Sequence, residues 1–179
     1  IQGGRNVAAD RQHRNLGTMP DRASIIARNL TDVRHRMANA AIRSGRHADD
    51  ARLVAVTKYV EVDEIRGVLA AGVRDVGESR PQQLWQRAET LAETPARWHL
   101  IGHWQRNKIR RALPHVTLLH AGDSLRLLAA VSEESITAGR VLDVLLEVNI
   151  SGDASKHGFA PAELEPLLPQ LAALAGIRV

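Results

Sequence analysis

Three lysines stand among 21 arginines in this chain, and that scarcity makes each of them a candidate for chemistry. A surface charge tolerates arginine, whereas a site that needs a small amine able to lose its proton does not. The three are Lys58, Lys108 and Lys156. Lys58 follows the apolar run LVAVT at 53–57. At the apolar lip of a strand end an amine is partly stripped of water and becomes nucleophilic toward an aldehyde, which is Schiff-base chemistry. The plainer reading is a lysine whose stem packs while its head reaches solvent. Lys108, in GHWQRNK at 102–108, fits a solvated basic helix face better than an anion or partner contact. Lys156, in SGDASKHGF at 151–159, sits in a polar loop able to close over a ligand, with simple loop structure as the equal alternative.

Other reactive types are present but poorly arranged. His99, His103 and His120 follow different apolar runs and form no HxH or HExxH pattern, so no metal site is expected. Ser79 and Ser124 lack the G-x-S-x-G elbow of a serine nucleophile. Glu78 is a possible general base, although a carboxylate after a strand more often caps the next helix or pairs with an arginine. The chain contains no cysteine, which excludes thiolate chemistry and disulfides and fits a reducing, cytoplasmic setting.

These residues have to be held by something, and the sequence rhythm indicates what. Residues 1–20 show no periodicity and read as a disordered lead-in. From Asp21, a plausible N-cap, apolar residues recur at helical spacing up to Gly45. Short apolar runs at 53–57, 73–76, 98–101, 116–119 and 142–148 then alternate with amphipathic stretches at 62–71, 81–92, 105–113, 124–138 and 162–174, and GIRV at 176–179 opens a sixth run. Repeated βα units with strands apolar on both faces predict a parallel sheet covered by helices. The spacing of about 25 residues per unit suits a (β/α)8 barrel. A doubly wound sheet is the alternative, but it usually carries a glycine-rich loop after its first strand, and here that strand ends in Thr57-Lys58-Tyr59. Eight units at this pace need about 250 residues. The chain is therefore expected to be the N-terminal part, residues 21–179, of one barrel domain from a longer product. In such a barrel, chemistry gathers at the C-terminal strand ends, where Lys58, Ser79, His99, His120 and Asn149 fall.

Composition narrows the partners. The net charge of +4 and the pI near 10.3 raise the question of nucleic acid. The arginines are interspersed with acidic residues, however, and aromatics are only 3% of the chain, too few for base stacking, so nucleic acid is not expected. No run of about 18 apolar residues exists, and no membrane partner is expected.

Five ordered segments, AVTK at 55–58, AGVRDVGES at 71–79, WHLIGHWQRNK at 98–108, HAGDS at 120–124 and VNISGDASKHGF at 148–159, closely resemble the pyridoxal phosphate homeostasis proteins, the YggS/PROSC family. That family looks like the N-terminal barrel domain of alanine racemase standing alone. The resemblance implies a barrel that binds pyridoxal 5′-phosphate, with Lys58 matching the Schiff-base lysine and Ser79, His99 and Asn149 near the cofactor. It also implies a role in homeostasis of the cofactor pool without catalytic turnover, with apo forms of cofactor-dependent enzymes as possible recipients. The alternative is a racemase or decarboxylase of the alanine racemase fold. Such relatives take a second acid/base group from another domain, commonly a tyrosine, whereas Tyr59 is the only tyrosine in this chain. Ser79 stands where the family usually has asparagine, and Trp104 where it usually has leucine, which is expected to add bulk at the rim. The family's phosphate-gripping segments match nothing before Val179. The resemblance thus implies that the full-length product holds the cofactor and that this chain alone binds it poorly.

Overall fold

The computed structural model describes residues 21–179, so the expected lead-in lies outside the described residues. Helix α1 (Arg22–Arg43) begins where the Asp21 carboxylate accepts from the Ser24 amide at 2.7 Å, and the chain turns away at Gly45 with φ of 76°. Five βα units and a sixth strand follow: β1 (Val54–Val56), α2 (Val62–Ala70), β2 (Asp75–Glu78), α3 (Pro81–Thr90), β3 (Arg97–Leu100), α4 (Ile109–Ala112), β4 (Val116–Gly122), α5 (Leu125–Thr137), β5 (Leu142–Leu146), α6 (Pro161–Ala172) and β6 (Ile177–Arg178).

All neighbouring strands pair in parallel, in the order β1-β2-β3-β4-β5-β6. A doubly wound sheet reverses its strand order at a switch point, and this one does not. Right-handed crossovers between sequential neighbours put every connecting helix on one face, which is the winding of a (β/α)8 barrel. Among the described residues, no helix is long and apolar enough to cross a membrane.

Some boundaries differ from the sequence expectation. β2 lies at Asp75–Glu78 rather than 73–76: Gly72, with φ of 81°, turns the chain out of α2, and the buried Val73 precedes the ladder, whose first pair is Val54 with Asp75. The helix expected over 105–113 is broken into 3-10 turns at Arg106–Lys108 and Leu113–His115 around the short α4, with Pro114 in the second turn.

The covered face of the sheet offers Val76, Trp98, Leu100, Leu119, Leu142 and Val144 to Ile65, Leu84, Leu128, Val131 and Leu171. The opposite alternation carries Val56, Gly77, His99, Leu118 and Leu145, of which Val56 is 55% and Leu145 48% exposed. Trp104 corrects an expectation. It does not sit at the rim but is wholly buried in the core, because the turn at Arg106–Lys108 folds it under the sheet end. Its indole N–H has no acceptor there. Trp104→Phe therefore removes an unsatisfied donor, worth about 1–3 kcal/mol, against a cavity term of similar size. Urea denaturation is expected to place Trp104→Phe within about 1 kcal/mol of the parent, and Trp104→Ala about 3–5 kcal/mol below it.

Candidate functional site

Lys58 follows β1 immediately, and the turn that carries it is held from both sides. Before it, Thr57 extends the ladder by donating its amide to the Gly77 carbonyl at 2.9 Å. The Thr57 hydroxyl donates to Glu78 Oε1 at 2.6 Å. From α3, Arg87 pairs with that same carboxylate oxygen, while its guanidinium donates to the Thr57 and Val60 carbonyls, each at 2.6 Å. One arginine thus grips the backbone on either side of Lys58. Glu78 is fully buried toward the helices, which makes it the arginine partner rather than a general base.

The alternation of β1 gives Lys58 the parity of Val54 and Val56, on the face without helices. Lys58 is half-buried, its Nζ lies 5.1 Å from the centroid of the exposed Tyr59 ring, and it makes no ion pair among the described residues. Ser79 takes the corresponding place on the next strand, two residues beyond Gly77 as Lys58 is two beyond its partner Val56. Ser79 is half-buried, and its carbonyl presses on the third strand end, where a Cβ on Gly102 would approach that oxygen to 2.4 Å. Only glycine fits there, so the exits of β2 and β3 close up and His103 is aimed from a fixed point.

His99 lies deeper than the strand ends. It pairs in register with Gly77 and Leu118, and both of its ring nitrogens are engaged: Nε2 lies 3.0 Å from Asp75 Oδ1 and Nδ1 lies 2.9 Å from His120 Nε2. Asp75 also receives two hydrogen bonds from Arg97, at 2.8 and 2.6 Å. Burial works to raise the Asp75 pKa, but the hydrogen bonds from Arg97 and His99 outweigh it and hold the carboxyl below its ordinary range. Burial lowers the pKa of His99, and Arg52 and Arg97 add to this, against the partial pull of Asp75. Burial also lowers His120, helped by the charge of His99.

Both histidines therefore bind fewer protons folded than unfolded as pH drops below their ordinary 6.5, so the stability they contribute is present above that pH and lost below it. The urea midpoint is expected to fall between about pH 7.5 and about pH 5, and His120→Gln to fall less steeply over that window.

Asn149 is used by its own loop. Its Nδ2 donates to the Asp153 carbonyl at 2.9 Å, and its Oδ1 accepts from the Ser151 hydroxyl at 2.7 Å. The loop is rooted by a bridge between Val148 and Phe159, with Gly158 at φ of 109° against the Glu147 carbonyl, where a side chain would not fit. Lys156 is exposed on this loop, next to His157. Lys108 is half-buried at the end of the 3-10 turn Arg106–Lys108; in α4, which follows, Arg111 stacks over Trp85, 4.7 Å from its ring. Ser124 is the N-cap of α5, accepting from the Leu127 amide at 3.3 Å.

The structure thus puts Lys58 and Ser79 side by side at one sheet end, sets His99 beneath them in a closed polar row, and spends Asn149 on a loop. Arg87 and Asp75, which do the positioning, carry no short-range motif in the sequence. The composition at the mouth is an amine beside a hydroxyl, suited to capturing a carbonyl compound.

The family described as alanine racemase, N-terminal domain, matches residues 29–179. The pyridoxal phosphate homeostasis protein of Pseudomonas aeruginosa is 36% identical over 156 residues, covering 87% of this chain and 68% of the relative. The protein of the same name from Escherichia coli K12 is 34% identical, covering 86% of this chain and 67% of the relative. This chain therefore spans about two thirds of the length of these relatives. The structure of PipY of Synechococcus elongatus with pyridoxal phosphate bound superposes with a TM-score of 0.74 at 30% identity, covering 86% of this chain and 67% of that one. Alanine racemase of Corynebacterium glutamicum, at 20% identity and a TM-score of 0.65 over 88% of this chain and 42% of its own, shares the fold. With sequential parallel strands, a lysine at the first strand end and these likenesses together, the chain belongs to the pyridoxal phosphate homeostasis protein family.

Proposed function

We propose that this chain binds pyridoxal 5′-phosphate through the amine of Lys58 and serves intracellular homeostasis of that cofactor. The observation that carries the reading is the held but unpaired amine, its turn clamped by Arg87 and its Nζ free of any carboxylate partner among the described residues. A relative of the same fold, PipY, is known with the cofactor bound. The cofactor supplies an aldehyde and an electron sink; the protein supplies the amine and its orientation. In this reading Ser79, half-buried on the neighbouring strand end, donates to the bound molecule, and His99, engaged by Asp75 and His120, supports the floor rather than offering a free nitrogen.

The role is one of holding and handing on, in the cytoplasm, with apo cofactor-dependent enzymes as recipients. Racemization or decarboxylation calls for an acid/base group opposed to the lysine. Here Glu78 is sealed beneath the helices and Tyr59 is 86% exposed in the lysine's own turn.

The test is to mix the chain with millimolar pyridoxal phosphate, a concentration that loads even the weak site the resemblance implies for this chain alone, reduce with borohydride and map the modified peptide. One cofactor per chain on Lys58 is the expected result. Label confined to Lys108 or Lys156, or a folded chain that takes none, would overturn the reading.

A further inference from the structure

Two exposed histidines and a buried carboxylate meet where the segments after β3, β4 and β5 come together, and the cofactor reading uses none of them. His103 Nδ1 lies 2.5 Å from Asp123 Oδ2. An ionised carboxylate only accepts, so in the metal-free chain the imidazole donates; an ion entering between the two takes the place of that proton, which leaves to solvent, and binds Nδ1 and the carboxylate. Asp123 is buried, and its second oxygen receives the Ser124 hydroxyl at 3.0 Å, which fixes the carboxylate at the head of α5. The His157 ring stacks on His103 with centroids 4.8 Å apart and planes 15° from parallel. One ligand atom from each of the three residues lies within 4.8 Å of the others.

We infer that His103, Asp123 and His157 form a site for a divalent transition-metal ion of the zinc class, and that the ion staples the loop after β5 to the ends of β3 and β4. Two imidazoles and one carboxylate are a three-ligand zinc set that leaves a fourth position for water. Imidazole donors favour zinc and its transition-metal neighbours over magnesium or calcium. Tetrahedral zinc with bonds of about 2.0–2.2 Å brings its donors to about 3.4 Å from one another, so the His103–Asp123 pair, 2.5 Å apart without metal, opens by about 1 Å, while donors as far as 4.8 Å apart close by up to about 1.4 Å.

The loop can supply that movement. His103 and Asp123 stand on fixed ground, one after the Gly102 contact and the other at a helix head, whereas His157 rides on an exposed polar segment rooted only at its base. His157 is thus the ligand that arrives, and it draws its neighbour Lys156 with it. The inference does not depend on the cofactor reading, since it concerns the chain without pyridoxal phosphate.

The experiment is calorimetric titration of the chain, free of any polyhistidine tag, with zinc chloride. One equivalent is expected to bind with micromolar affinity, and His103→Ala and His157→Ala are each expected to weaken it at least about tenfold. His115→Ala, a half-buried histidine elsewhere, leaves binding unchanged. Trypsin cleavage after Lys156 is expected to slow at least about fivefold with zinc in the parent and not in His157→Ala. Circular dichroism of the His157→Ala chain, altered only on an exposed loop, confirms that the fold persists. No binding at hundred-micromolar zinc, affinity undiminished in His157→Ala, or bound zinc without protection of Lys156 would each overturn the inference.

Discussion

Lys58→Arg is expected to abolish covalent capture of pyridoxal phosphate while leaving the chain folded. The arginine keeps the positive charge and the stem, so packing of the turn survives. It cannot act as an amine nucleophile, because the guanidinium does not give up its proton in a protein. Lys58→Ala is expected to give the same loss, and Lys108→Arg and Lys156→Arg to retain full labelling. The contrast separates position from mere lysine content, since all three amines meet the same aldehyde in solution. Borohydride reduction followed by intact mass and peptide mapping reads it directly. Residual labelling of the Lys58→Arg chain at the parent level would mean that the sheet end does not select its lysine.

Arg87→Ala is expected to cost about 3–5 kcal/mol, a large part of the 5–15 kcal/mol that a domain of this size has available. The loss has little to do with the attraction between Arg87 and Glu78 as such. It comes from what remains: a fully buried carboxylate holding one hydrogen bond from Thr57, with its other oxygen already unpartnered, a Val60 carbonyl stripped of the guanidinium, and a Thr57 carbonyl left with the Val60 amide at 3.2 Å. Removing the charge together with its partner spares most of that. Glu78→Gln with Arg87→Met is therefore expected to be more stable than Arg87→Met alone, a departure from additivity that urea denaturation of the double variant and both single variants reveals. Because the same guanidinium grips both sides of the lysine turn, Glu78→Gln/Arg87→Met is also expected to label Lys58 more slowly even where it is fully folded.

The layout of this fold lay open in the sequence because it is written at short range. Asp21 and Gly45 bracket α1 as expected, Ser124 caps α5, and the alternation of apolar runs with amphipathic stretches gives six parallel strands in chain order. Lys58 was legible by rarity and by the run before it. The unread parts all depend on partners far apart in sequence. Glu78 and Arg87 meet only once a strand and the helix behind it have packed; His99 finds Asp75 and His120 across two strand pairings, 24 and 21 residues away. His157 reaches His103 from a loop two units on. Trp104 is expected at the rim from the resemblance, as a larger residue where the family has leucine, but the chain folds it wholly into the core next to the 3-10 turn at Arg106–Lys108.

The row formed by Asp75, His99 and His120 has a direction. The carboxylate accepts only, so His99 must carry its proton on Nε2; its Nδ1 is then bare and must accept, which puts the proton of His120 on Nε2 as well. Each imidazole is confined to one tautomer by the residue on the strand before it, and nitrogen chemical shifts would report both as Nε2–H. The one nitrogen in the row with a lone pair to spare is Nδ1 of the half-buried His120. A proton taken up by the sheet in acid therefore enters from β4, at the end of the row farthest from Arg97, and the interior of the barrel charges from one side.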